Sequence, residues 1–402
     1  MMYKFPKSRL LPGLFFLIPA LLAAEPFYSP AWGFRIDLPP DMELQAGDGR
    51  NKFSFRSGEN VVFELAAYDA SRYESIGQMA LDVKERLGSS GDISGFNYYG
   101  MDAALMELSF PGSKGWALFV ELEGAGGAAS AGAAPAGAEN QGGGPKPKLL
   151  ALAFGPAERA ELQPLYLSVL DSVAPAPLFA LAPGPITEFA YPRENRKQVR
   201  PANSRSQAWI FDTDAEAAQS LVDREFGVLR RYGSGPYWKE AWIRFYRAIY
   251  RDSFDRLRDI ALVLGQEWAR GKDAPANGGS GAAAGAIPGQ ALKWVQSFSY
   301  ERDLMGSDFV NLVSAALEGR GDCDTRSLLW AVVLSQAEIP AAIMVSRDYS
   351  HAMGLAGIDG PGARFEFAGR EWLVAETTAQ VGLGLINSET SDSGKWIGVN
   401  FY

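Results

Sequence analysis

The sequence predicts an α+β protein in two parts, on three observations. The first half alternates short β-type runs with helix-spaced segments. The second half opens with long helical stretches and closes on one helix followed by strands. Between them residues 175–201 carry Pro175, Pro177, Pro183, Pro185, Pro192 and Pro201, a stiff linker or an arm draped over a neighbour. At 402 residues the chain is long for one core and suits two domains of ordinary size. The boundaries follow as a signal segment 1–24, a first domain 25–174, a linker 175–205 and a second domain 206–402.

Composition narrows the function classes. Hydrophobic residues at 47% and aromatics at 12% suffice for packed cores. The formal charge of −9 argues against a nucleic-acid partner and against docking on anionic lipid. One Cys excludes an intrachain disulfide, and one Cys with one His cannot supply a zinc site of the usual kind. Lys4, Lys7 and Arg9 precede the apolar run Leu10 to Ala24, the pattern of an export signal too short and too Pro/Gly-broken for a comfortable membrane span. Its removal would take the charge to −12, leaving an acidic, exported chain, periplasmic or extracellular, with no stable membrane insertion.

In chain order, Gly33–Leu38, Lys52–Arg56 and Val61–Ala67 read as strands. Ile76–Leu87 is a helix with Met79, Val83 and Leu87 on one face. Phe96–Tyr99, Ala104–Phe110, Trp116–Leu122 and Leu149–Phe154 read as strands and Ala157–Val173 as a helix. The Gly/Ala-rich stretch 124–148 is then a hairpin insertion, and 271–289 a second one of similar flavour. Asp212-Thr213-Asp214 caps a helix to about Arg231. Trp238–Tyr250 and Ser253–Trp268 follow with aromatic stripes including Trp242, Phe245, Tyr246 and Ile249, read as core. The element order of the first half resembles the Mog1/PsbP-like α/β sandwich, in pattern alone.

The chemistry concentrates between Trp294 and Thr378. Gly319 and Gly321 supply a turn, Asp322 is a good N-cap, and Cys323 falls in the first turn of a helix ending near Ala337. Helix-start N–H groups favour a thiolate, while Asp322 and Asp324 oppose it, so a nearby imidazolium is needed to tip the balance. The single His351 opens a strand after a loop containing Tyr349. Trp372–Thr378 reads as a second strand, with Trp372, Val374 and Glu376 on one face. A carboxylate ending an apolar strand needs a partner, and His351 is the natural one.

Gly-Asp-Cys at a helix start, a strand His, and Trp-x-x-x-acid-x-Thr together resemble the transglutaminase-like superfamily of papain-type Cys-His-acid thiol enzymes. Trp294-Val295-Gln296 with Ser299-Tyr300 resembles that family's lead-in helix, and Ala337-Glu338-Ile339-Pro340-Ala341 its helix-to-strand exit. The match covers about 90 of the 402 residues. It implies a transglutaminase-like (papain-like) domain with a helical lead-in, and a triad of Cys323 as nucleophile, His351 as base and Glu376 orienting the imidazole. The chain departs where Asp is commoner than Glu376 and Pro than Thr377. The Cys323 backbone is one oxyanion donor, with Trp294 or Gln296 as the second, and Asp322 and Tyr349 support the site. The implied activity is acyl transfer or hydrolysis at amide bonds of a protein or peptide through a thioester, with no cofactor. The alternative is a non-catalytic surface or periplasmic binding protein.

Overall fold

The structure is a computed structural model that describes residues 26–123, 145–270, 280–302, 307 and 309–401. The export signal, residues 124–144 and residues 271–279 lie outside these. Helices and strands are both abundant, so the α+β class holds. Among the described residues no helix is long and apolar enough to cross a membrane.

The first half is built on one antiparallel sheet. After the small pair β1 (Phe27–Tyr28) and β2 (Arg35–Ile36) come β3 (Glu43–Gly47), β4 (Lys52–Arg56), β5 (Val62–Tyr68), β6 (Ile93–Tyr98), β7 (Met101–Phe110), β8 (Ser113–Glu121) and β9 (Lys148–Pro156). The spatial order is β3-β4-β5-β9-β8-β7-β6. The predicted strand Gly33–Leu38 contracts to β2, and β3 has no apolar signal because all five of its residues are exposed. Glu121 pairs with Lys148, so β8 and β9 are antiparallel neighbours, and residues 124–144 of the predicted insertion between them lie outside the described residues.

Both faces of this sheet are covered. Helix α1 (Ile76–Leu87) lays Ile76, Met79, Ala80 and Val83 over Met106, Leu108 and Phe119. Helix α2 (Gln163–Asp171) lays Leu165, Val169 and Leu170 over Phe63, Leu118 and Ala151 on the other face. Residues 157–162 lead in through a 3₁₀ turn, so the helix is shorter than its apolar spacing implies. The long apolar strands β7 to β9 reflect burial on two sides rather than one.

The proline-rich segment is an arm, not a spacer. Ala174, Ala176, Phe179, Ala182 and Ile186 are buried in the core beneath the first sheet, and α3 (Pro185–Ala190) starts on proline, where no N–H is missed. Strand β10 (Arg196–Val199) then pairs with β11 (Ala208–Phe211). Helix α4 (Asp214–Tyr232) begins at Asp214 without a side-chain cap. Instead of capping, Asp214 accepts a hydrogen bond from the Phe211 N–H at 2.8 Å and pairs with Arg256.

Helices α4 and α5 (Trp238–Arg256) join the halves, their Val228, Tyr232 and Ala241 entering the first core. A polar seam runs alongside. Glu225 accepts from the Arg244 guanidinium and the Ser168 hydroxyl, each at 2.8 Å; Arg224 pairs with Asp171; Arg251 donates to the Asp171 and Val173 carbonyls. Charges this deep persist only when paired and hydrogen-bonded.

Helix α6 (Arg258–Arg270) follows α5 after a break at Leu257, and α7 (Ser280–Gln296) comes next. From Ser280 onward the expected flexible insertion is helical. Alanine is the best helix former, and Ile287, Ala291 and Leu292 give the segment an apolar side to bury. Helix α8 (Leu312–Glu318) precedes α9 (Cys323–Gln336), which packs on a second antiparallel sheet. Its strands β12 (Ala341–Ser346), β13 (His351–Ala356), β14 (Arg364–Phe367), β15 (Arg370–Ala375) and β16 (Ile397–Asn400) run in the order β14-β15-β13-β12-β16.

Candidate active site

Helix α9 is held unusually close to β13. A Cβ on Gly354 would lie 2.4 Å from a ring carbon of Trp330, so only glycine lets the buried indole rest on the strand backbone. At the start of the helix Gly321 has φ 153°, and a Cβ there would meet Thr325 at 2.6 Å. Asp322 caps the helix as the sequence predicts, accepting the Thr325 N–H at 2.8 Å. One turn in, the Ser327 hydroxyl meets the Ala352 carbonyl at 3.2 Å and the Thr377 hydroxyl at 2.9 Å, tying the helix to both neighbouring strands.

These contacts put Cys323 at the end of β13. The thiol is buried, with the backbone N–H groups of Ala352 and Asp324 facing its sulfur. Ala352 is the residue after His351. By alternation His351 shares a face with Met353 and Leu355, opposite the face α9 covers.

His351 Nε2 lies 2.8 Å from Glu376 Oε2. The other carboxylate oxygen, Oε1, accepts the Thr378 N–H at 2.8 Å and its hydroxyl at 2.6 Å. Glu376 is just past the end of β15, on the alternation face expected for it. Burial pushes its carboxyl up, but the hydrogen bonds from His351 and Thr378 prevail and hold it below the ordinary range. An ionised Glu376 fixes a proton on Nε2, which leaves Nδ1 as the ring's acceptor. Thr377, where proline is usual, is fully buried and carries the hydroxyl that Ser327 meets.

The thiol is not poised as a thiolate. Burial, then the charges of Asp324 and Asp322, push Cys323 up to about 12, against which the two N–H groups are too weak. The opposition of helix start and flanking acids thus resolves in favour of the acids and the dry site. Asp324 itself is pushed up to about 7 by burial and by Asp322, opposed by a hydrogen bond from Tyr246 and by the nearness of His351. Tyr246, one of the aromatic stripe assigned to the core, is buried there and also lines the site.

The two side-chain oxyanion candidates are otherwise engaged. Gln296 spends its amide protons on the Glu376 carbonyl at 2.8 Å and the Val381 carbonyl at 3.0 Å, so it holds the strand end instead. The Trp294 indole N–H donates to the Ala202 carbonyl at 2.7 Å. Tyr349 packs against Trp396, ring centroids 5.6 Å apart, and Trp396 stands edge-on to His351 at 6.2 Å. Trp396 is a site residue that sequence reasoning missed. It arrives through the antiparallel pairing of β16 with β12, which has no local signal. Among the described residues no three His, Cys, Asp or Glu side chains group as metal ligands would.

No protein-family description matches the sequence, and no curated protein matches it. Among solved structures the chain is similar to a Bacteroides thetaiotaomicron VPI-5482 protein known from a crystal structure at 1.50 Å. Identity is 13%, over 57% of this chain and 77% of that one, with a TM-score of 0.23. That likeness carries no argument. The residues alone bear on function.

Proposed function

We propose that this protein is an exported thiol enzyme that performs acyl transfer or hydrolysis at amide bonds of a protein or peptide, using a transglutaminase-like (papain-like) C-terminal domain. The observation that carries the reading is the Glu376–His351 pair. One carboxylate oxygen is locked by Thr378, the other meets Nε2, and His351 is followed in the chain by Ala352, whose N–H acts on the Cys323 thiol. This is the arrangement of a base with its orienting acid.

In this reading Cys323 starts as the thiol, because burial and the two flanking acids raise its pKa. A thiol held protonated attacks as its proton leaves, so His351 acts as a general base rather than as the cation of a standing ion pair. Sulfur bonds to the carbonyl carbon, the carbonyl electrons move to oxygen, and Nδ1 takes the thiol proton. Collapse of the adduct restores the carbonyl and expels the amine, which takes that proton from His351. The thioester is then resolved by water, giving hydrolysis, or by a second amine, giving a cross-link. None of these steps draws on a cofactor. Export rests on the basic-then-apolar N-terminal segment.

Acylation of Cys323 by p-nitrophenyl acetate, followed by intact mass and nitrophenolate release, tests the proposal. One acetyl group is expected on wild type and none on Cys323→Ala. His351→Ala should acylate roughly 10²–10⁴ times more slowly, the range for a general base. The buried, protonated thiol also favours a second reading, a binding protein on a degenerate domain of the same kind. An unreactive folded wild type would select it.

A further inference from the structure

We propose that the open groove between α2, α3 and α4 binds an aliphatic carboxylic acid, whose carboxylate accepts hydrogen bonds from the Arg224 guanidinium and the Ser220 hydroxyl. The site is independent of the chemistry at Cys323.

The groove has a volume of about 500 Å³, the size of a small-molecule site rather than of a protein interface. Three stretches of chain wall it. The start of α2 gives Pro164 and Leu167, the arm gives Ile186, Ala190 and Tyr191, and α4 gives Ser220 and Arg224. Thr187 also lines it, but its N–H and hydroxyl are both spent on Asp171, each at 2.8 Å. Glu161 and Gln163 are exposed at the rim, and Glu161 pairs with Arg159. The result is a largely apolar trough with a hydroxyl and a guanidinium on one wall.

Those two groups are neighbours, because Ser220 and Arg224 are one turn apart on α4. Arg224 is held at two of its three nitrogens. Nε donates to Glu225 at 3.1 Å and Nη2 donates to Asp171. Among the described residues neither Arg224 Nη1 nor the Ser220 hydroxyl has a hydrogen-bond partner, and neither is a sealed buried atom. The Arg224 side chain keeps 12% exposure and Ser220 is half-buried. A guanidinium pinned at two corners is a preorganised donor at the third.

Charge selects the head group. Behind the wall three guanidiniums share the two carboxylates of Asp171 and Glu225. Arg224 meets both, Arg244 meets Glu225 at 2.8 Å, and Arg251 lies against Asp171. The other acids nearby have cations of their own. Asp252 pairs with Arg256 at 2.9 Å, and Asp37 faces Arg35 and Arg247 besides Arg244. The cluster therefore carries a positive charge in excess. A carboxylate at Arg224 neutralises it, whereas an alcohol of the same shape does not.

The test uses the full chain, with octanoate and octanol as probes. Isothermal titration should show one octanoate per chain, bound at least about tenfold more tightly than octanol, the difference that a hydrogen bond to a charged group makes. Ser220→Ala should weaken octanoate about threefold or more and leave octanol unchanged. Ala190→Trp, at an exposed position, should fill the trough and abolish binding of both without moving the urea midpoint. Where Ala190→Trp does not fold, the octanoate-to-octanol ratio in Ser220→Ala decides alone. Equal affinity for acid and alcohol, no binding of either, or octanoate binding that Ala190→Trp leaves intact would overturn the site. A chain dimeric in solution and made monomeric by Ala190→Trp would put a second copy in the groove and overturn it as well.

Discussion

Two buried sets of charges in this molecule are organised in opposite ways. Along the seam between the halves, Arg244 meets Glu225, Arg224 meets Asp171, and Arg256 lies between Asp214 at 2.6 Å and Asp252 at 2.9 Å. Each guanidinium is matched in charge and geometry, the pattern of groups that hold a structure in register. Around Cys323 two carboxylates and a thiol are buried together. Asp322 and Asp324 crowd one another and a thiol, and Asp324 is pushed up to about 7 and the thiol up to about 12. Matched burial joins the halves. Like charges buried beside a thiol shift the titration of both, the kind of perturbation that clusters at functional sites.

Substitutions can break this contrast in either direction. The largest effect belongs to the site. Glu376→Gln removes the carboxylate that fixes Nε2 and lets the ring settle in the wrong tautomer, so thiol acylation should fall by roughly 10³–10⁴, far more than the loss of stability in urea unfolding accounts for. Next comes the seam. Glu225→Ala removes the buried carboxylate that Arg244, Arg224 and Ser168 share, which should cost about 3–5 kcal/mol in urea unfolding while the surviving folded protein acylates normally. If Glu225→Ala instead abolished acylation without loss of stability, the division between structural and chemical charge would fail.

Smaller effects sharpen it. Asp324→Asn removes one of the charges that raise the thiol, so iodoacetamide alkylation at fixed alkaline pH should rise roughly tenfold, a single nearby charge at intermediate dielectric. The same variant tests linkage. The carboxyl of Asp324 is raised from an ordinary value near 3.8 to about 7, so the folded state holds its proton where the unfolded state has lost it. Its contribution to stability is then greatest below about pH 4 and declines as pH rises to about 7, and the decline should vanish in Asp324→Asn. Glu376 has the opposite sign. Its carboxyl is lowered in the folded state, so its contribution is present above the ordinary value of 4.5 and fades as pH falls through the folded pKa. Urea midpoints measured against pH in the two single variants should diverge in those directions.

The linear order of the site was legible because local rules set it. Gly319, Gly321 and Asp322 announce a turn and a cap, and Cys323 begins α9 as they require. Ile76–Leu87 is helical over the span its spacing gives, and Lys52–Arg56 is a strand over its own. What stayed hidden depends on chain segments distant in sequence. Trp396 reaches His351 only because β16 adds to β12, and Gln296 finds its two carbonyls 80 and 85 residues away. The proline-rich segment read equally as a linker or an arm because proline spacing reports stiffness and says nothing of burial, whereas Phe179 and Ile186 sit in the core. Helix from Ser280 was obscured by glycines whose cost the packing of Ile287, Ala291 and Leu292 offsets. The polar seam left only scattered arginines on α5, indistinguishable in sequence from a solvated face.

Whether Cys323 and His351 work as one unit is decided by acetyl transfer from p-nitrophenyl acetate to folded wild type and to His351→Ala. A single acetyl group is expected on Cys323 in wild type, formed at least about 10² times faster than in the variant. A thiol that acylates equally fast without His351, or that reacts in neither protein until unfolded, would contradict it.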